Sequence, residues 1–398
     1  MELAGRLILD PASLEGARRN SRIEEHPMAN PRPTAQQIES ASESKGAAAG
    51  RPLVSVLVVV RNGRRDVVGV LDSIRQQEYA PLEILLVDGM SDDGTLELVE
   101  DYARKHANFP LRLLPNPRRI QATGWNIGIR AAKGEYVLRI DAVHCRLGAN
   151  YIRCCLEKLL ELRAGDSAVV ATGGRRLTVA AEESGWAEAI ALAQGCRFGV
   201  GNAGYRVNTE AGFVDTVGMP IYDRQTLFQV GLFDESLGRS EDNDLHARLR
   251  WQGYKLYFLP EAIAIYHPRT TLAGLASQMF HNGWWISATV LRKRQFPFGV
   301  RHLIPFAFYL SLMALLLLSL RGWFAAQVML WGLLGAYLVG SLVAAWQAAP
   351  WKKSWRIAAV FWVMHASYAV GTLSGLFAGR QGGAETGVFT APGANLGS

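Results

Sequence analysis

The sequence predicts an α/β protein, a doubly wound and mostly parallel sheet followed by helices that cross a membrane. Three observations carry this. Short apolar runs alternate with helical stripes through residues 52–141, two of those runs end on an aspartate, and charged residues become scarce after residue 301. Apolar runs of strand length bounded by turn residues read as buried strands, and strands alternating with helical patterns read as βαβ units.

The chain opens with residues 1–51, rich in Ala, Ser, Pro, Arg and Glu and without sustained periodicity, which reads as a disordered tail. MELAGRLILD has no apolar core of signal-peptide length, so the N-terminus is expected to stay in the cytoplasm. LVSVLVVV (53–60) is then a buried strand, broken by Arg61-Asn62-Gly63. Val67, Val68, Val70, Leu71 and Ile74 make a helical stripe, and EILLVDG is a second strand that ends on Asp88. SDDGT supplies cap-type residues for a helix carrying Leu96, Leu98, Val99 and Tyr102. LRLLPN is a third strand, 120–133 a helix, and EYVLRID a fourth strand ending on Asp141.

Ligands in open α/β sheets bind outside the carboxyl ends of the strands. Asp141 alone could be a turn cap, but Asp88 and Asp141 at that edge together point to a nucleotide crevice. His144, three residues after Asp141, could join it in holding a divalent metal on phosphates.

Beyond the crevice, Cys154, Leu156, Leu159 and Leu160 mark a helix, and AVVATGG a strand. Residues 199–204 spell G-x-G-x-x-G, but a helical pattern precedes them where a dinucleotide site requires a strand. Glu241-Asp242 head the helix EDNDLHARLRWQGY, where the helix dipole favours acids. Arg248 reads as an outward charge, and LYFLP returns to the sheet. Cys145, Cys154, Cys155 and Cys196 make no C-x-x-C pair and read as free thiols in a reducing compartment.

From residue 302 onward the charged residues are Arg321, Lys352, Lys353, Arg356, Arg380 and Glu385. Three apolar spans, 303–320, 323–346 and 357–378, each reach roughly 27–36 Å, enough to cross a hydrocarbon core. The net charge of +7 flanks these spans, which argues against a nucleic-acid surface. Arg292, Lys293, Arg294 and Arg301 before the first span, and Lys352, Lys353 and Arg356 before the third, place both on the cytoplasmic side. Gln278, His281, Trp284 and Trp285 read as an aromatic interfacial helix, and His365 as a helix-packing residue without a functional role.

LVSVLVVVRNG, LLVDGMSDDGT and GWNIGIRAAKGEYVLRIDA, in this order, resemble the nucleotide-binding half of a family 2 glycosyltransferase of the GT-A fold. Among its members the chain is most similar to bacterial succinoglycan-type exopolysaccharide transferases. The resemblance implies a membrane-anchored, inverting enzyme that transfers a sugar from a UDP-sugar to a polyprenyl-diphosphate-linked saccharide. It implies that Asn62, Asp88 and Asp141 bind the nucleotide sugar, with Asp88 on the uracil. It assigns Asp141 and His144 to a divalent metal, Mn or Mg, and Glu241 and Asp242 to the acceptor-side E-D motif, with Asp242 as the base. Valine stands where the D-x-D motif has its second carboxylate, and His144 arrives one position late for the D-A-H variant. Imidazole suits manganese better than magnesium.

The expected organisation is a tail (1–51), a GT-A domain (52–270), an interfacial helix and basic linker (271–301), three transmembrane helices (302–379) and a C-terminal tail (380–398). The expected location is the inner membrane, multi-pass, with other polysaccharide-assembly proteins as partners. The alternatives are a processive synthase, which usually has spans before the catalytic domain and a sound Q-x-x-R-W motif, or a nucleotidyltransferase, which needs a basic Gly-rich loop. A nucleotide-sugar-binding subunit without catalysis is the non-enzymatic alternative, kept open by the missing second Asp.

Overall fold

A computed structural model describes residues 50–141, 144–201, 203–294 and 296–378; both expected tails, apart from Gly50 and Arg51, lie outside these, as do Ala142 and Val143 of the D-x-D position. β1 (Val54–Val60) is central to the first half of the sheet, with β2 (Leu82–Asp88) on one side and β4 (Tyr136–Asp141) on the other, both parallel to it. Its β-branched residues suit a pleated surface buried on both faces. Val54, Val56, Val58 and Val60 pack with Ile84, Leu86, Leu138 and Ile140 in one core, while Leu57, Leu85, Val137 and Trp125 form another behind the sheet.

The helices between these strands are α1 (Val67–Arg75), α2 (Thr95–Lys105) and α3 (Gln121–Ala131), with β3 (Leu111–Pro115) parallel to β2 at the edge. Strand order is β3-β2-β1-β4, so the connection reverses between β1 and β4. That switch point is where a ligand crevice opens.

The second half adds short β5 (Cys145–Leu147), α4 (Tyr151–Gly165), β6 (Val169–Thr178), α5 (Gly185–Gln194), α6 (Arg197–Val200), α7 (Gly204–Val207) and β7 (Gly212–Val214). β8 (Gly218–Asp223), α8 (Arg224–Gln229), α9 (Glu241–Trp251) and β9 (Lys255–Tyr266) complete it. β8 pairs antiparallel with both β4 and β6, and β6 runs parallel to β9, which carries β5 and β7 antiparallel. The sheet is therefore parallel from β1 to β4, as the sequence predicts, and mixed beyond β4. AVVATGG and LYFLP are only parts of β6 and β9.

α10 (Leu272–Lys293) leads to α11 (Ile304–Leu320), α12 (Phe324–Ala348) and α13 (Trp351–Ala378). The segments Val300–Leu320, Phe324–Ala348 and Trp351–Phe377 are long and apolar enough to cross a membrane. Gly322, at φ +83°, makes the tight turn between the first two. α13 is instead held by the rest of the chain. A Cβ on Gly371 would lie 2.0 Å from Phe280 O and one on Gly375 2.4 Å from Trp284 O, so α10 and α13 touch backbone to backbone. Trp284 and Trp285 are not interfacial as expected from the sequence: both are buried, in a cluster with Leu237 and Ala288. Ile190 of α5 packs with Phe361 of α13, and Lys353 pairs with Glu188 at 2.7 Å. His365 meets the Tyr337 hydroxyl at 2.6 Å, a helix-packing contact.

Candidate active site

The register of the parallel strands sets the site. Val60 pairs with Asp88 and Val59 with Asp141, so the two aspartates flank the carboxyl end of β1. Asp88 is buried; its Oδ1 accepts from Ser91 Oγ (2.6 Å) and its Oδ2 from Ser91 N (3.1 Å). Asn62 follows directly after β1 at φ +53°, a conformation asparagine tolerates. Its amide clasps Asp92 in both directions, Nδ2 to Oδ1 at 2.9 Å and Asp92 N to Asn62 Oδ1 at 3.0 Å. Asn62 and Asp88 thus belong to one hydrogen-bonded rim.

Asp141 lies on the other side, one-third exposed. Its Oδ1 accepts from Arg139 Nη2 at 3.3 Å and from Gln121 Nε2 at 3.4 Å. Arg139 is a buried cation on a central strand, sandwiched against the rings of Trp125 (4.8 Å) and Phe233 (5.6 Å). The same Nη2 donates to Glu241 Oε1 at 3.1 Å. One guanidinium therefore links Asp141 to the head of α9. Burial disfavours its charge, but Asp141 and Glu241 outweigh burial and hold it above its ordinary value.

At the head of α9 the two acids differ in environment. Glu241 is buried, and burial, reinforced by Asp242 and opposed by Arg139, pushes its carboxyl up to about 7. Asp242 is half-buried, and its Oδ1 accepts from Asn243 N (2.8 Å) and Asn243 Nδ2 (3.1 Å). Burial raises Asp242 as well, but the surrounding cations and the Asn243 N–H, Arg139 foremost, together reverse that and leave it below the usual value. Asp242 is the ionised, accessible member of the pair. His246, one turn on, is buried between Thr216 Oγ1 (2.8 Å) and Tyr222 OH (2.7 Å); burial lowers it to about 4, so it is neutral at pH 7.

His144 adopts φ +71°, with Nδ1 3.7 Å from Asp66 Oδ2 and Nε2 buried without a hydrogen-bond partner. Burial, only partly opposed by Asp66, lowers its pKa. Among the described residues no group of three or more His, Cys, Asp or Glu side chains is gathered for a metal. A cation that takes most ligands from phosphate and water needs only one or two protein donors. The Asp141 carboxylate fits that need, and the unpartnered His144 nitrogen is a chemically suitable second donor.

Three features of the site are not legible in the sequence. Arg139 lies inside an apolar strand run, and its partner Glu241 is 102 positions away. Glu235 accepts from Thr123 Oγ1 (3.0 Å), Asn126 Nδ2 (2.9 Å) and Arg118 Nη1 (2.6 Å), pinning the loop before α9 onto α3. Arg248 points inward, contrary to expectation: its guanidinium donates to the carbonyls of Val230 and Leu232 and to Asp244 at 2.9 Å. Loop carbonyls that lack a sheet partner recruit it.

Residues 55–186 match the family model "Glycosyl transferase family 2". The chain is 28% identical over 295 residues to the succinoglycan biosynthesis protein ExoA of Rhizobium meliloti, covering 72% of this chain and 84% of that protein. It is 23% identical over 274 residues to a dolichyl N-acetyl-alpha-D-glucosaminyl phosphate 3-beta-D-2,3-diacetamido-2,3-dideoxy-beta-D-glucuronosyltransferase of Methanococcus voltae, covering 67% and 82%. In fold it is similar to a mannosyltransferase from Pyrobaculum calidifontis solved with GDP-Man and Mn2+, at a TM-score of 0.55 and 21% identity, covering 83% of this chain and 89% of that one.

Proposed function

We propose that this chain, a family 2 glycosyltransferase of the GT-A fold, is a membrane-anchored, inverting enzyme that moves a sugar from a UDP-sugar to a lipid-linked saccharide in exopolysaccharide or cell-envelope glycan synthesis. The observation that carries the reading is the Arg139 bridge, which fixes a donor-side carboxylate, Asp141, and the acceptor-side pair Glu241-Asp242 around one buried charge.

Asn62 and Asp88 orient the nucleotide, and orientation lowers the barrier by making attack effectively unimolecular. An acceptor hydroxyl attacks the anomeric carbon, its proton passes to Asp242, and the anomeric C–O bond breaks with its electron pair leaving on UDP. A single base with no protein nucleophile opposite gives inversion, so an α-linked donor yields a β product. The base contributes about 10²–10⁴-fold. Glu241, held by Arg139, positions Asp242 and leaves the proton transfer to it. A divalent metal on Asp141, with His144 as second donor, would neutralise the leaving diphosphate.

A lipid-linked acceptor suits the apolar helices, since anchoring confines enzyme and substrate to one surface, and the Methanococcus relative is named for a dolichyl-phosphate substrate. In this reading 52–270 is the catalytic domain, 271–301 the linker and 302–379 the membrane region. Arg292, Lys293, Arg294 and Arg301, with Lys352, Lys353 and Arg356, keep the catalytic domain on the cytoplasmic face of the inner membrane. The pairing of Lys353 with Glu188 supports that placement. The test incubates membranes containing the full chain with labelled UDP-sugars, manganese and polyprenyl-diphosphate-linked saccharides, and reads the anomeric configuration of the product. Transfer giving a β-linked product from an α-linked donor is expected. A retained configuration, or no transfer from any donor, overturns the reading.

A further inference from the structure

Arg176, Arg206 and Arg239 gather around Tyr266, with Arg269 beside Arg239, and among the described residues no carboxylate is within ion-pair distance of them. The Arg176 guanidinium lies 4.4 Å from the Tyr266 ring centre and 5.1 Å from that of Tyr205. Arg206 sits over the same two rings at 5.5 and 5.8 Å, and its Nη1 reaches only the uncharged Gln194, at O (3.2 Å) and Oε1 (3.3 Å). Arg239 donates to Asn282 Oδ1 of α10 at 3.1 Å. Burial and the nearby Arg269 push its guanidinium below the ordinary value, against the pull of Glu241. Arg176 Nε is buried and has no hydrogen-bond partner.

Nearby carboxylates are already engaged: Asp141 and Glu241 by Arg139, and Asp244 by Arg248 and Lys293. Among the described residues none lies within ion-pair distance of Arg176, Arg206, Arg239 or Arg269. Like charges held together in a partly desolvated place repel, and an oxyanion relieves that repulsion. Guanidinium forks match phosphate oxygens geometrically.

The position argues which phosphate. The donor crevice is at the ends of β1, β2 and β4; Tyr266, which ends β9, reaches its edge, with its ring 6.4 Å from that of His144, and Arg176 on β6 and Arg206 on α7 extend the cluster beyond it, on the far side of β8. Gln278 Nε2 of α10 donates to Tyr266 OH at 3.2 Å, and α10 packs along the apolar helix α13. We propose that this arginine cluster binds the phosphate or diphosphate group of the lipid-linked acceptor, seating its sugar at Asp242 and its prenyl chain along α10. This rests on the lipid-linked acceptor of the preceding reading.

The test uses the purified full chain in detergent, without donor sugar, and titrates farnesyl diphosphate, farnesol and UDP by calorimetry. Farnesyl diphosphate is expected to bind at least about tenfold tighter than farnesol and to be undisturbed by saturating UDP. Arg176→Gln combined with Arg206→Gln should weaken farnesyl diphosphate at least about tenfold and leave UDP affinity within about twofold. Equal affinity for farnesol and farnesyl diphosphate, or displacement by UDP, overturns the site, and both are read on the unmodified protein whatever the variant's folding. An unchanged affinity in a folded variant overturns it too. Binding is read without transfer, so a failed transfer assay beside intact farnesyl diphosphate binding counts against the reaction and not against this site.

Discussion

Replacing Arg139 with methionine should damage the protein through Glu241. The side chain that remains still packs between Trp125 and Phe233, but Glu241 loses its 3.1 Å ion pair in a buried place. At pH 8, where Glu241 is ionised, removing one member of a buried ion pair costs up to about 3–5 kcal/mol, because the other charge is left uncompensated. At about 2–4 °C per kcal/mol for a unit of this size, the lower figure moves the thermal midpoint down by roughly 6–12 °C. Arg139→Met with Glu241→Gln removes both charges and should recover most of that loss. The pH dependence gives an independent arm. Glu241 binds its proton more tightly folded than unfolded, so the stability this contributes is whole below about 4.5 and is lost as pH rises through about 7. In Glu241→Gln that decline should flatten. The assay is thermal unfolding in detergent from pH 4.5 to 8, and the reasoning is refuted if at pH 8 Arg139→Met shifts the midpoint by less than about 2 °C or the double variant is no more stable than the single.

Other expectations follow from the same contacts. Asp88→Ala frees Ser91 and removes a charged acceptor from the rim, so UDP affinity measured by calorimetry should fall roughly 10–100-fold, in line with about 1.5–3 kcal/mol for a hydrogen bond to a charged group; unchanged affinity would take Asp88 out of the donor site. His144→Ala should weaken manganese binding in the presence of UDP, read by electron paramagnetic resonance, and unaltered binding would remove His144 from the metal. Gly371→Val places a side chain against Phe280 O and should cost about 1–3 kcal/mol or more, whereas Gly335→Val, with open space around its Cβ, should be neutral; equal midpoints for the two would contradict the close α10–α13 packing.

The first half of the sheet was legible because local rules agree there. A strand buried on both faces must be continuously apolar, so a carboxylate at its end stands out, and Asp88 and Asp141 did. The order of parallel strands then fixed their neighbourhood. The second half was harder to read. β5 and β7 are three residues long and carry no periodicity, and β8 joins the sheet antiparallel through contacts distant in sequence. Arg139 and Arg248 show the limit most clearly. A cation on a strand or helix reads as solvated unless its partners are known, and theirs are a glutamate 102 residues away and loop carbonyls before the helix. The arginines around Tyr266 are spread over β6, α7 and the loops on either side of α9 and β9, so no sequence window contains them together.

The most direct test of the central claim is Asp242→Asn. Asparagine keeps the size and hydrogen-bonding capacity of the side chain but cannot take a proton at neutral pH, so single-turnover transfer from the UDP-sugar should fall by about 10²–10⁴-fold while UDP affinity stays within about twofold. Transfer at the wild-type rate by Asp242→Asn would contradict the assignment of the base, and with it the account of how this site works.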